Sequence, residues 1–210
     1  MKRKIAAFLI TGILTILMTA CANNSSAGEA PLTVDKADTE DTVDAENTAD
    51  TDATASLVVY FSWSGNTKAV AEEIQSQTGA DIFEIVPEEP YSTDYDEVVD
   101  VAQEEQREEA RPVIADTIDN LGDYSVVYLG FPNWWGDMPM ILYSFLDNYD
   151  LSGKTIAPFV TSEGSGFSDT INSIKELEPG ASVTDGLSIS GSSASKASGD
   201  VTKWLAGLEQ

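Results

Sequence analysis

Leu57-Val58-Val59-Tyr60-Phe61 runs straight into Ser62-Trp63-Ser64-Gly65-Asn66-Thr67, and the break between the two segments sets the architecture. The first segment is a continuous apolar run of β-forming residues, as in a strand covered on both faces, and Ser62 ends it. From Thr67 onward Val70, Ala71 and Ile74 recur at helical spacing, and Gly79 supplies a stop. The unit reads strand, polar loop, helix.

The same alternation continues along the chain. Residues 81–86 set Ile82, Phe83, Ile85 and Val86 beside two acids and predict a strand ending at Pro87. Residues 95–110 carry Val98, Val101 and Ala102 on one side and a dense Glu and Gln surface on the other. They predict a solvent-facing helix stopped by Pro112. A second buried strand is expected over 125–131 and a helix over 140–148. Strand 155–161, helix 168–177, strand 181–189 and helix 196–208 follow. Five strands interleaved with helices require a parallel sheet with helices on both faces and right-handed crossovers.

In such a sheet ligands sit beyond the carboxyl ends of the strands, so the loops after the first, third and fourth strands are the candidates. The first, Ser62 to Thr67, offers hydroxyls, an amide and a glycine where a helix begins, with backbone N–H groups and the positive dipole end facing it. It reads as a phosphate cradle or as an ordinary Ser/Thr helix cap. The second is Pro132-Asn133-Trp134-Trp135-Gly136-Asp137-Met138-Pro139. Neighbouring side chains in a turn diverge, so two adjacent tryptophans cannot both enter the core. One is left for a flat aromatic ligand, a neighbouring loop or a partner protein. The third, Thr161-Ser162-Glu163-Gly164-Ser165-Gly166, has glycines that let backbone approach a ring edge.

These loops resemble those of the flavodoxin-like FMN proteins, with a Tyr-Phe-Ser-x-Ser-Gly-Asn-Thr opening and a Gly-Phe-Pro-x-Trp-Trp-Gly second loop. The likeness runs from Leu57 to about Leu208. It implies a three-layer flavodoxin-like α/β sandwich with a five-stranded parallel sheet in the order 2-1-3-4-5 and FMN at the switch point. It further implies that Ser62, Ser64, Gly65, Asn66 and Thr67 hold the FMN phosphate. Pro132, Asn133, Trp134, Trp135 and Gly136 would border the isoalloxazine, and Ser162, Glu163, Gly164 and Gly166 its other edge. Glu163 stands where much of the family has a small residue. Two other features stay outside this site. Ser152-Gly153-Lys154-Thr155 imitates the end of an ATP-binding P-loop, but position 148 is Asn and a strand follows. Lys68, early in its helix, could add charge to the phosphate or reach solvent equally well, and is left out of the site.

Composition narrows the chemistry. A formal charge of -25, from 36 acidic and 11 basic residues, argues against nucleic acid as a partner. With no histidine, Ser-His-Asp triads and common zinc sites are excluded, so redox or transfer chemistry must come from a borrowed reagent. The acidic surface is expected to disfavour the anionic reduced flavin and to lower its potential. The lone Cys21 cannot form an internal disulfide. It follows a basic start, Lys2-Arg3-Lys4, an apolar run, and Leu17-Met18-Thr19-Ala20, which with it resembles a bacterial lipobox.

Residues 1–20 are therefore expected to be a lipoprotein signal peptide. Residues 21–55 would be a lipidated Cys21 and an acidic linker spanning about 30 Å as a coil, and 56–210 the flavodoxin-like domain. The expected setting is extracytoplasmic, on the membrane through the lipid anchor. The function expected there is electron transfer or a quinone-type flavin reductase with an unknown donor and acceptor, a quinone or a redox protein. The alternative is a non-catalytic flavin-binding module.

Overall fold

The computed structural model describes residues 55–208. The expected signal peptide, Cys21 and the linker up to residue 54 lie outside them. Within them the elements are β1 (Ser56–Tyr60), α1 (Asn66–Thr78), β2 (Asp81–Glu84), α2 (Tyr95–Glu108), β3 (Val126–Pro132) and α3 (Met140–Asn148). Then come β4 (Thr155–Ser162), α4 (Thr170–Leu177), β5 (Ser182–Val183), β6 (Leu187–Ser190) and α5 (Ser198–Leu208). Every strand pairing is parallel, in the order β2-β1-β3-β4-β5, with β6 also on β4. The expected fold, with its 2-1-3-4-5 sheet, is the one observed.

Alternation along the strands divides the core in two. Leu57, Val59 and Phe61 of the first segment join Val127, Leu129 and Phe131 against Ile141, Phe145 and Ile174 of α3 and α4. Val58 and Tyr60 face the other way, with Tyr128, Ala157 and Phe159, against Val70, Ala71 and Ile74 of α1 and Val201 of α5. Burial on both faces explains why these strands read as unbroken apolar runs rather than as alternating ones.

The single strand expected over 181–189 is in fact two. The step from Val183 to Leu187 is one residue longer than the matching step from Ile156 to Phe159 on β4, so the edge bulges between them. The bulge lies opposite Pro158, which has no N–H to give to a ladder. The ring of Phe167 fills the space there, its Cζ 2.2 Å from where a Cβ on Gly186 would sit. Two helices are also shorter than expected. Glu109 adopts φ 50 and ends α2, and Ser168 adopts φ 51 ahead of α4. The last helix also starts later than expected, at Ser198, because Lys196 closes a 3-10 turn, Gly191–Lys196.

Candidate functional site

The turns after β1, β3 and β4 converge at one end of the sheet, fastened to each other by side chains. Gly65, at φ 87, turns the chain into α1, and no side chain caps that helix or places an acid in its first turn. The leading N–H groups of α1 therefore keep their anion-binding capacity, with the positive dipole end behind them. The Ser62 hydroxyl does not cap the helix but accepts the Gly65 N–H at 3.1 Å and folds the loop. Ser64 is exposed and Asn66 half-buried. Thr67 is buried, and its hydroxyl lies 2.8 Å from that of Thr161, tying the first turn to the third. What Thr67 offers a ligand is backbone. Lys68 is committed elsewhere: its ammonium lies 2.9 Å from Glu84, whose hydrogen bond and charge raise its pKa.

The second turn is closed by paired hydrogen bonds, Trp134 N–H to Asp137 O at 2.9 Å and Asp137 N–H to Trp134 O at 3.0 Å. Trp135 at φ 54 and Gly136 at φ 82 fill its two centre positions, the geometry of a type I′ turn. The tryptophans diverge as expected. Trp134 packs edge-on against Phe61 and Tyr91, at 5.4 and 5.3 Å between centroids. Trp135 stays 52% exposed and donates its indole N–H to Val99 O. Asn133 is a clamp: its Oδ1 accepts the Gly136 N–H, and its Nδ2 donates to Gly166 O at 2.9 Å and to Ser168 Oγ. Pro132 closes β3, half-buried. Asp137 accepts from the Tyr143 hydroxyl, and burial together with that charge pushes the phenol up to about 12.

In the third turn the Ser162 hydroxyl accepts the N–H groups of Gly164 and Gly166, at 3.3 and 2.9 Å. Gly164 at φ 123 and Gly166 at φ 58 occupy backbone that favours glycine. Glu163 is exposed and leans over Gly191. Its Oε1 and the Asn66 Nδ2 stand 2.6 and 2.8 Å from the place of a Cβ on that glycine.

Between the first two turns and α2 lies a hollow of about 280 Å³, lined by Trp63, Asn133, Trp134 and Trp135 and by Tyr95, Val98, Val99 and Ala102 of α2. Trp63 and the α2 residues are not among the site residues expected from the sequence. Trp63 was an unassigned position inside the first loop. It donates its indole N–H to Ser92 O at 2.8 Å and packs 6.1 Å from the Tyr95 ring. The α2 contribution was visible only as the apolar side of an acidic helix. Among the described residues no group of three acids or cysteines is placed to hold a metal ion. The arrangement can bind an anion at the head of α1 and a flat apolar body among the indoles.

The family model described as Flavodoxin matches residues 55–208. A crystal structure of a candidate flavoprotein from Bacteroides eggerthii is 31% identical, with TM-score 0.65, covering 74% of this chain and 98% of that one. One from Bacteroides uniformis is 28% identical, also with TM-score 0.65, covering 72% and 97%. A flavoprotein from Lactobacillus acidophilus, crystallised in complex with FMN, is 27% identical, with TM-score 0.58, covering 72% and 99%. No curated protein matches the chain.

Proposed function

Because this chain belongs to the flavodoxin family, we propose that it binds FMN and moves electrons outside the cytoplasmic membrane, as a carrier or a quinone-type reductase. The observation that carries this reading is the fastening of three turns around one mouth. The Thr67–Thr161 and Asn133–Gly166 bonds tie the uncapped head of α1 and the tryptophan turn to the third turn. FMN supplies when bound the redox chemistry that a site without histidine, paired cysteines or a metal cluster lacks.

The chain's own residues bind and orient. Gly65 turns the chain into α1 so that the N–H groups at Asn66 and Thr67, with the Ser62 and Ser64 hydroxyls, hold the phosphate. Pro132, Asn133, Trp134, Trp135 and Gly136 border the ring, and the backbone of Ser162, Glu163, Gly164 and Gly166 approaches its other edge. The uncompensated acids of the chain disfavour added negative charge on the ring, within a screening length of about 8 to 10 Å. A midpoint potential below that of free FMN is expected. The basic leader and the Leu17–Cys21 segment support a lipid anchor on Cys21 and a membrane source of electrons.

The full-length chain, purified in detergent, should be yellow, and should lose FMN retention on Ser64→Ala. Cys21→Ser should move it from the membrane fraction to the soluble one. Stopped-flow mixing with a quinol should reduce the bound flavin. A colourless protein that takes up no added FMN ends the proposal, and bound flavin that no donor reduces leaves a binding module.

A further inference from the structure

A second hollow, of about 510 Å³, borders α2 at Val101 and Glu105. Tyr91 and Glu105 line it, together with Pro87, Pro90, Arg111 and Val113. It is separated from the indole-lined hollow by an aromatic wall. Trp134 faces the first hollow, Tyr91 the second, and their rings meet edge-to-face at 5.3 Å. Phe61 fills the corner, 5.4 Å from Trp134 and 5.7 Å from Tyr91. On its outer side the Tyr91 hydroxyl donates to Glu105 Oε2 at 2.8 Å. A phenol thus sits in contact with an indole at its ring and with a carboxylate at its oxygen.

Phenols give up an electron readily only when the proton leaves as well, because the protonated radical cation is a very strong acid. Tyr91 meets both needs. Ring contact provides the route for the electron, and a carboxylate already hydrogen-bonded to the phenol takes the proton without any group having to move. Half-burial keeps both partners in place, and burial raises the pKa of the Glu105 carboxyl, making it a better base than an exposed glutamate.

We propose that Tyr91 is a redox-active tyrosine that discharges an oxidised Trp134. When an oxidising inorganic radical, such as the azide radical, takes one electron from the Trp134 indole and becomes its anion, Tyr91 passes one electron to that indole and its hydroxyl proton to Glu105 Oε2. This leaves a neutral indole, a neutral tyrosyl radical and a protonated carboxyl group. The hole leaves the indole-lined hollow and comes to rest against the second one, where an external reductant can refill it. The proposal uses the Trp134 wall and not the phosphate cradle, so it stands or falls independently of FMN binding.

Pulse radiolysis tests it on the full-length chain without added flavin. Azide radical serves as the one-electron oxidant, and the decay of the indole radical and the growth of the tyrosyl radical are followed together. The expected result is a tyrosyl growth phase whose rate does not depend on protein concentration. That phase should be lost in Tyr91→Phe and in Trp134→Phe and retained in Tyr95→Phe. It should also be lost in Glu105→Gln, which keeps a hydrogen-bond acceptor but removes the base. Circular dichroism spectra matching the parent confirm that each variant is folded. If Tyr91→Phe retains the phase, the hole does not pass through Tyr91. If Glu105→Gln retains it at the parent rate, Glu105 does not take the proton. Either result overturns the proposal.

Discussion

The hydroxyls of Thr67 and Thr161 lie 2.8 Å apart in the buried floor of the site, joining the first turn of α1 to the end of β4. Each is the other's partner, so removing one strands the other. Thr161→Val keeps the shape and leaves the Thr67 hydroxyl buried and unpaired, which costs about 1–3 kcal/mol. Urea denaturation should show this loss, while Thr161→Ser should recover most of it. FMN titration should show weaker binding in the valine variant alone, because the first and third turns are no longer fastened.

Trp135 occupies a left-handed position, φ 54, that a bulky residue adopts at a cost of about 1–2 kcal/mol. Trp135→Gly should therefore leave the fold as stable as before or more so, with the denaturation midpoint unchanged or raised. FMN affinity should fall in the same variant. A variant that binds FMN as well as the parent would remove Trp135 from the ring site.

Gly130 of β3 faces Phe159 of β4, its register partner, and a Cβ on Gly130 would fall 2.0 Å from the Phe159 Cζ. Both positions lie in the packed middle of the sheet. Gly130→Ala should destabilise the protein by about 1–3 kcal/mol through overpacking. Adding Phe159→Leu should restore part of that loss, a coupling that a double-mutant cycle by denaturation would measure.

Glu178 is 6% exposed, and burial, with the nearby Asp150 charge adding to it, raises its carboxyl pKa against a hydrogen bond from Leu151 backbone. A carboxyl raised in the folded state holds its proton more tightly there than in the unfolded chain. Its contribution is therefore fully present below the unfolded pKa and is lost as pH rises through the folded one. Glu178→Gln keeps an acceptor and removes the charge. The stability of the glutamine variant relative to the parent should thus increase between acid and neutral pH. A difference that shrinks over that interval would contradict the sign.

Much of this was legible in the chain itself. Strand, turn and helix follow from patterns a few residues long: the apolar run Leu57 to Phe61, the helical spacing of Val70 and Ile74, and the glycines at Gly65 and Gly79. The Trp134-Trp135 pair required one ring outside the core because adjacent side chains diverge, and it is Trp135 that remains exposed. Those facts depend on local stereochemistry, which one stretch of sequence states completely.

Tertiary structure decided the partners. Thr67 meets a hydroxyl 94 positions away, Lys68 turns to Glu84, and Tyr91 finds Glu105 across a loop and the first turns of α2. The last strand of the sheet breaks in two because Pro158, on a neighbouring strand, withholds an N–H and Phe167 claims the space beside Gly186. Each of these outcomes is set by which surfaces pack together, a relation among distant residues that neither composition nor periodicity encodes.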